Sequence, residues 1–207
     1  MKSRENNTHA LRDVATIQPG YPFRGKLPLS AEADAFVIQF RHVVVGEPLT
    51  DALGKTLDKA TLTGRKQPNF LRSGDIIFMA KGNRNQAALI GEVPSNTVCT
   101  PNFYCIRLKP EIDGLLPEFL NWQLNHQGAQ RYFTVCSQGS VAASITKSQL
   151  ETFPVSIPPI KKQELMIRLA EAASQERKLM NELIENRQRM VVEVGHRILN
   201  PENNTEH

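Results

Sequence analysis

No apolar run in the 207 residues approaches the ~20 needed to span a bilayer. The start, Met1-Lys2-Ser3-Arg4-Glu5-Asn6-Asn7, is polar with no apolar stretch behind it, which argues against a signal peptide. Cysteine is scarce: Cys99, Cys105 and Cys136, with no Cys-x-x-Cys and no His at metal spacing. Free thiols in a cytoplasmic protein are the simplest account, and no metal or cofactor is expected. There is no phosphate-loop motif, no Gly-x-Gly-x-x-Gly after a strand and no His-Glu-x-x-His. Asn102-Phe103-Tyr104 is not the Asn/Asp-Pro-Pro-aromatic motif of an amino-methylating enzyme. Asp75 and Lys81 lack the second acid that a metal-dependent nuclease needs. His126 with Ser137 and Ser140 has nothing to position a nucleophile and base. The five His are scattered, which suits surface or core roles better than ligation. These absences favour binding over catalysis.

One stretch is free of interruption. After Pro158-Pro159 the chain runs without Gly or Pro to Gly195, rich in Leu, Ala, Glu, Lys, Arg and Met. Proline is tolerated at a helix start, and the remainder are good helix formers. A helix from Pro158 to about Leu199 would be on the order of 60 Å long, so much of it is expected to stand clear of the globular part. Leu165, Ala172 and Leu179 recur at seven, and Leu169, Leu183 and Met190 form a second line four residues on. That spacing marks a helix that packs along another helix. Glu176 and Asn186 are polar positions in the same seam, able to set register. The stripe widens after Leu183, so more than one neighbour is expected there. A helix packed on its own domain is the plainer reading.

Ahead of the helix, residues 1–8 read as disordered, 9–157 as one α+β domain with a mixed or antiparallel sheet, and 200–207 as a disordered tail. Ala35–Phe40 and His42–Val45 are β-type runs, and residues 50–70 read as loops and turns. Ile76–Ala80 and Ala87–Ile90 read as a hairpin, and Val98–Leu108 as a strand. A helix starts at Pro117 and extends toward Phe133 with a break at Gly128. Phe153–Ile157 is a last strand. Met1 and the polar tail look like natural ends, with a fragment of a longer chain as the alternative.

Net charge is +4, and residues 1–157 hold all of it, with 17 Lys and Arg against 13 Asp and Glu. From Lys55 to Arg84 there are seven basic residues and two acidic ones. Such a segment suits a polyanion, nucleic acid first, or is simply a solvated basic face. Lys55, Arg65, Lys66, Lys81 and Arg84 are candidates for phosphates or bases. Gln67, Asn69, Asn83, Asn85 and Gln86 carry the amides that suit adenine edges. Ser137, Gln138, Ser140 and Lys147 form a second candidate contact loop.

The order of several segments resembles one family. Ser137-Gln138-Gly139-Ser140, then Ile145 and Leu150, then Phe153-Pro154-Val155-Ser156-Ile157-Pro158-Pro159-Ile160 and Gln163 is similar to a target recognition domain running into a spacer helix. This is the pattern of specificity subunits of type I restriction–modification systems. Leu11-Arg12-Asp13-Val14-Ala15 with Gly20, Leu71–Ile77 and Pro117–Phe133 resemble further parts of that domain. The resemblance implies a non-catalytic reader of double-stranded DNA in a phage-defence complex. Methyltransferase subunits would dock on it and carry the chemistry; an ATP-dependent restriction subunit could join. Two features depart from the pattern. Lys162 stands where the family commonly has Glu, and there is one recognition domain and one helix rather than two of each. A homodimer formed through Leu165, Leu169, Ala172, Leu179, Leu183, Asn186 and Met190, reading a bipartite palindrome, is therefore expected. A stand-alone DNA-binding regulator and a coiled-coil assembly module of a defence complex stay open as alternatives.

Overall fold

The computed structural model describes residues 8–44, 47–51, 54–81, 85–137 and 144–199. The ends expected to be disordered lie outside these residues, except Thr8, the first residue of a strand. The chain divides into two compact units, Met1–Ile167 and Arg168–His207. The fold is α+β, with mixed sheets and a long C-terminal helix.

β1 (Thr8–Ala10) pairs antiparallel with β9 (Pro154–Ser156), so the start of the unit lies against the strand that precedes the long helix. The short helix α1 (Leu11–Val14) leads into β2 (Ala15–Pro19). A four-stranded antiparallel sheet has the order β2, β8 (Phe103–Leu108), β5 (Ile76–Met79), β6 (Ala87–Leu89). A three-stranded sheet sets β3 (Ala35–Ile38) between β4 (Asp58–Ala60) and β7 (Thr97–Cys99), and the β3–β7 pair is parallel.

The continuous apolar run Ile76-Ile77-Phe78-Met79 follows from burial on both faces, because side chains alternate along a strand. Ile76 and Phe78 face a core built with α1, α2 (Pro117–Asn125), α3 (Gln127–Ser137) and α4 (Lys147–Glu151). Phe133 stacks on Phe153 there, with centroids 5.3 Å apart, and meets Phe78 at a tilt, 4.8 Å away. Ile77 and Met79 face a second core with Ile38, Leu71, Ile90 and Phe103. Each fully buried side chain of this size contributes about 1.5–3 kcal/mol.

The expected hairpin is present as β5–β6. Other boundaries differ from the sequence reading, for local reasons. His42–Val45 is not a strand among the described residues; Phe40–His42 is a 3₁₀ turn whose His42 Nδ1 accepts the Gln39 N–H at 3.1 Å. Residues 50–70 are not all loop, since β4 pairs with β3. Val98–Leu108 is two strands in two sheets, parted by a turn in which Phe103 N–H bonds to the Thr100 carbonyl at 3.1 Å. Gly20 packs against that turn; a Cβ there would lie 2.0 Å from the Thr100 carbonyl oxygen. The helix from Pro117 breaks at His126, not Gly128. His126 is extended, its carbonyl accepts the Gln130 N–H, and its Nδ1 accepts the Gly128 N–H at 3.2 Å. One side chain thus ends α2 and caps α3.

The long helix α5 runs Ile160–Leu199, forty residues in one piece. Gln163 in its first turn is completely buried. Its Oε1 accepts the Leu116 N–H at 3.0 Å, and its Nε2 donates to the carbonyls of Gly114 (2.5 Å) and Pro158 (2.7 Å). Among the described residues no helix is long and apolar enough to cross a membrane.

Candidate nucleic-acid interface

The end of β5 brings Lys81 beside the segment that leads to Lys147. Lys81 pairs with Ser144 in an isolated antiparallel bridge, and Ile145 N–H donates to the Ala80 carbonyl at 2.8 Å. The segment that enters α4 therefore runs beside Ala80 and Lys81, just after β5. Its shape is set by a capping box. Thr146 N–H donates to Gln149 Oε1 at 2.9 Å, and Gln149 N–H donates to Thr146 Oγ1 at 3.3 Å. Gln149 Nε2 also donates to the Cys136 carbonyl at 2.8 Å, which ties in the end of α3 that carries Ser137. Burial raises the pKa of the Tyr104 hydroxyl, and a hydrogen bond to the backbone of Lys147 works the other way, placing that ring in the same neighbourhood.

On this ground Lys81 is exposed and Lys147 half-exposed, its Nζ 3.5 Å from Glu151 Oε1. Ser137 Oγ donates to the Thr134 carbonyl. Asn85 and Gln86 are half-buried; Gln130 Nε2 donates to the Asn85 carbonyl at 2.9 Å, and the Gln86 carbonyl accepts Met79 N–H. Asn125 Oδ1 and Nδ2 bond the N–H and C=O of Ala87, both at 2.9 Å, and hold the outer edge of β6. Asn125, Gln130, Thr146 and Gln149 escaped the sequence reading as positioning residues. For the last two the Thr-x-x-Gln spacing was a readable signal. Asn83, Arg84, Gln138 and Ser140 lie outside the described residues.

The rest of the basic segment does not share this ground. Lys55 is exposed in the loop before β4, and its N–H bonds to Asp51 Oδ1 at 2.9 Å. Arg65, Lys66 and Gln67 are exposed after β4, next to Gly64, whose N–H donates to the Tyr21 hydroxyl at 2.7 Å. Asn69 is turned inward: its Oδ1 accepts from Arg107 Nη1 at 3.4 Å. Arg107 also holds the buried Asp75 through two bonds of 2.6 and 2.7 Å. Asn69 and Asp75 therefore precede β5, whereas Lys81, Asn85 and Gln86 follow it. The four residues of β5 span about 13 Å. The buried strand β5 thus stands between Asn69 and Asp75 on one side of it along the chain and Lys81, Asn85 and Gln86 on the other.

Exposed cations beside amide side chains, carried on loops that a sheet holds rigid, can meet phosphates and base edges. The two buried thiols cannot serve as nucleophiles at neutral pH, since burial pushes Cys99 well up and Cys105 up to about 12. Among the described residues no group of three or more His, Cys, Asp or Glu could hold a metal.

The second surface lies on α5. Leu165, Leu169, Leu179, Leu183 and Met190 are each 50–60% exposed, and Ala172 and Asn186 are exposed with them. Met180, Ile184, Val191, Val194 and Ile198 widen the same apolar face.

Residues 5–186 match the family model for the type I restriction modification DNA specificity domain. No curated protein sequence matches significantly. Among solved structures, one described as the structural basis of complex assembly and conformational transition of the type I R-M system superposes with a TM-score of 0.68 at 12% identity, covering 97% of this chain and 46% of that one. The HsdS subunit from Thermoanaerobacter tengcongensis gives 0.63 at 18% identity, covering 100% and 53%. The type I restriction-modification S subunit from M. genitalium gives 0.56 at 13% identity, covering 98% and 48%. The chain thus spans about half the length of the structures it matches.

Proposed function

The chain belongs to the type I restriction–modification DNA specificity family, and from that premise we propose that it is the DNA-reading subunit of such a system, one recognition half at a time. The globular unit reads one half of a bipartite target in double-stranded DNA. The long helix joins it to a second half, most simply a second copy. Methyltransferase subunits dock on the assembled pair and carry the chemistry; an ATP-dependent restriction subunit can join the same complex, which works in the cytoplasm. The chain's own residues bind and orient, and none is assigned a catalytic step.

The observation that carries this reading is the unbroken family match from residue 5 to 186, through the globular unit and into the helix. The ground around Lys81 and Lys147 supplies the DNA contacts in this proposal, with Asn83 and Arg84, which follow Lys81 in sequence, and Gln138 and Ser140, which precede Lys147, as further candidates. Lys55, Arg65, Lys66 and Gln67 form a separate set of phosphate candidates. Asn69 is reassigned from base reading to holding Arg107.

The test is reconstitution with the methyltransferase subunit of the same system. The complex should bind a target duplex with a steep salt dependence, the mark of released counterions, and methylate it. A chain that binds DNA tightly but never associates with a methyltransferase would contradict the proposal.

A further inference from the structure

The 3₁₀ turn that follows β3 brings an arginine to the end of the sheet where Lys81 sits. The Ile38 carbonyl, at the end of β3, accepts the Thr100 N–H at 3.1 Å. The Asn102 carbonyl accepts the Ala80 N–H at 3.0 Å. Phe103 lies opposite Met79, the last residue of β5, and its ring is 5.0 Å from that of Phe40. The residues that follow β3 and those that follow β5 therefore flank one turn, residues 100–103. Arg41 comes directly after Phe40, and Lys81 directly after Ala80.

The Arg41 side chain is 60% exposed, yet it is held in place from the protein side. Arg41 Nη2 and Gln39 Nε2 both donate to Asp58 Oδ2, and His42 Nε2 lies 3.4 Å from the same oxygen. Arg41 Nε is 3.3 Å from His42 Nε2. The side of the guanidinium formed by Nε and Nη2 is thus occupied. Nη1 has no partner among the described residues. Asp58 keeps its charge at neutral pH: burial opposes ionisation, and the bonds from Arg41 and Gln39 prevail. An ion pair this exposed contributes little to stability. What it fixes is the direction in which the guanidinium points.

We propose that Arg41 is a base-reading residue that takes the O6 and N7 of a guanine in the major groove, and that Asp58 positions it for this contact. This rests on the DNA-reading proposal above and names one contact within it. Asp58 offsets much of the charge that would draw Arg41 to a phosphate. Directed donors remain, at Nη1 and at the second proton of Nη2. Two adjacent donors match the two adjacent acceptors of guanine. Lys81 is a point charge on a flexible stem, which suits a phosphate. The two residues divide the work: Lys81 holds the backbone, and Arg41 reads a base.

The test is selection of bound duplexes from a random-sequence pool by the full-length chain, reconstituted with the methyltransferase subunit. The unmodified complex should enrich one motif with a guanine in each half. Arg41→Ala should relax one G·C position per half by about tenfold or more and leave the others as they were. Its slope of log K against log salt should stay close to the original. Arg41→Gln should move the preference at that position toward adenine, which a merely structural residue would not do. Asp58→Asn should weaken the same preference and steepen the salt slope, because the charge of Arg41 is released. An Arg41→Ala complex that selects the original motif with undiminished preference, or that loses affinity equally for all sequences, overturns the proposal. Unfolding of both Arg41 variants in a urea titration overturns it too, since the residue would then be structural. A pool from which the unmodified complex enriches no motif overturns the DNA-reading proposal itself.

Discussion

Gln163 Oε1 takes the Leu116 N–H at 3.0 Å, forty-seven residues away in the chain. Leu116 caps the N-terminus of α2, where backbone N–H groups have no helical partner. One amide at the start of α5 thus fulfils the needs of another helix, and its Nε2 satisfies two carbonyls besides. Gln163→Leu is close in volume and leaves three partly buried backbone groups without their partner. The unit should lose about 1–3 kcal/mol in urea unfolding, given ~1–3 kcal/mol for a fully buried group left unpaired and partial access of water to these three. A loss below half a kcal/mol would mean that water replaces the amide at no cost.

Asp75 and Arg107 form a two-bond ion pair at the start of β5, with Asp75 buried and Arg107 partly so. Removing one charge and leaving the other should be worse than removing both. Asp75→Asn is expected to cost about 3 kcal/mol or more, and Asp75→Asn with Arg107→Met less than the single change. A double-mutant cycle with no coupling would sink this account.

Acid should unfold the domain by a defined route. Burial works against ionisation of Asp51, yet N–H donors from Leu57, Lys55 and Thr56 overcome it, and the net pKa is lowered. Asp58 is also lowered: burial opposes, and hydrogen bonds from Arg41 and Gln39 prevail. Burial lowers the pKa of His42 despite the neighbouring Asp58. In all three the unfolded chain binds protons more readily, so stability rises with pH through each titration. Their stabilisation should be complete above about pH 7 and fall on acidification, first as His42 protonates below ~6.5 and then as the carboxylates protonate below ~4. Asp51→Asn should flatten the acid limb. Denaturation midpoints measured from pH 3 to 8 check both.

Lys81 and Arg84 flank the same turn in sequence. Replacing both by Ala should weaken DNA binding to every sequence and reduce the slope of log K against log salt by about 2. Lys55→Ala should add to the effect of that pair independently, because Lys55 sits in the loop before β4 and not at the end of β5. An unchanged slope in the Lys81/Arg84 variant would remove the turn from the interface.

How far these features were readable in the chain depended on how local their cause is. The β5–β6 hairpin and α5 announce themselves through uninterrupted apolar or helix-forming runs. β4, which reads Asp58-Lys59-Ala60, has no strand signal of its own and exists because β3 offers it a partner. The division of Val98–Leu108 depends on a turn at Thr100 whose role is visible only once Gly20 packs beside it. The break at His126 comes from a side chain capping its own backbone, against the expectation drawn from Gly128. At the candidate interface, residue types were readable but neighbourhood was not. Asn69 resembled a base reader by composition and is held by Arg107, while Lys147 joined Lys81 only through the bridge at Ser144.

The most direct test of the central claim is a map of modified bases in cells with and without this gene, the proposed methyltransferase present in both. The account predicts that methylation at one interrupted, palindromic motif disappears when the gene is removed and returns when it is restored. Loss at an asymmetric motif would replace the second copy with a different recognition half. A methylation map that does not change at all would contradict the assignment as a specificity subunit.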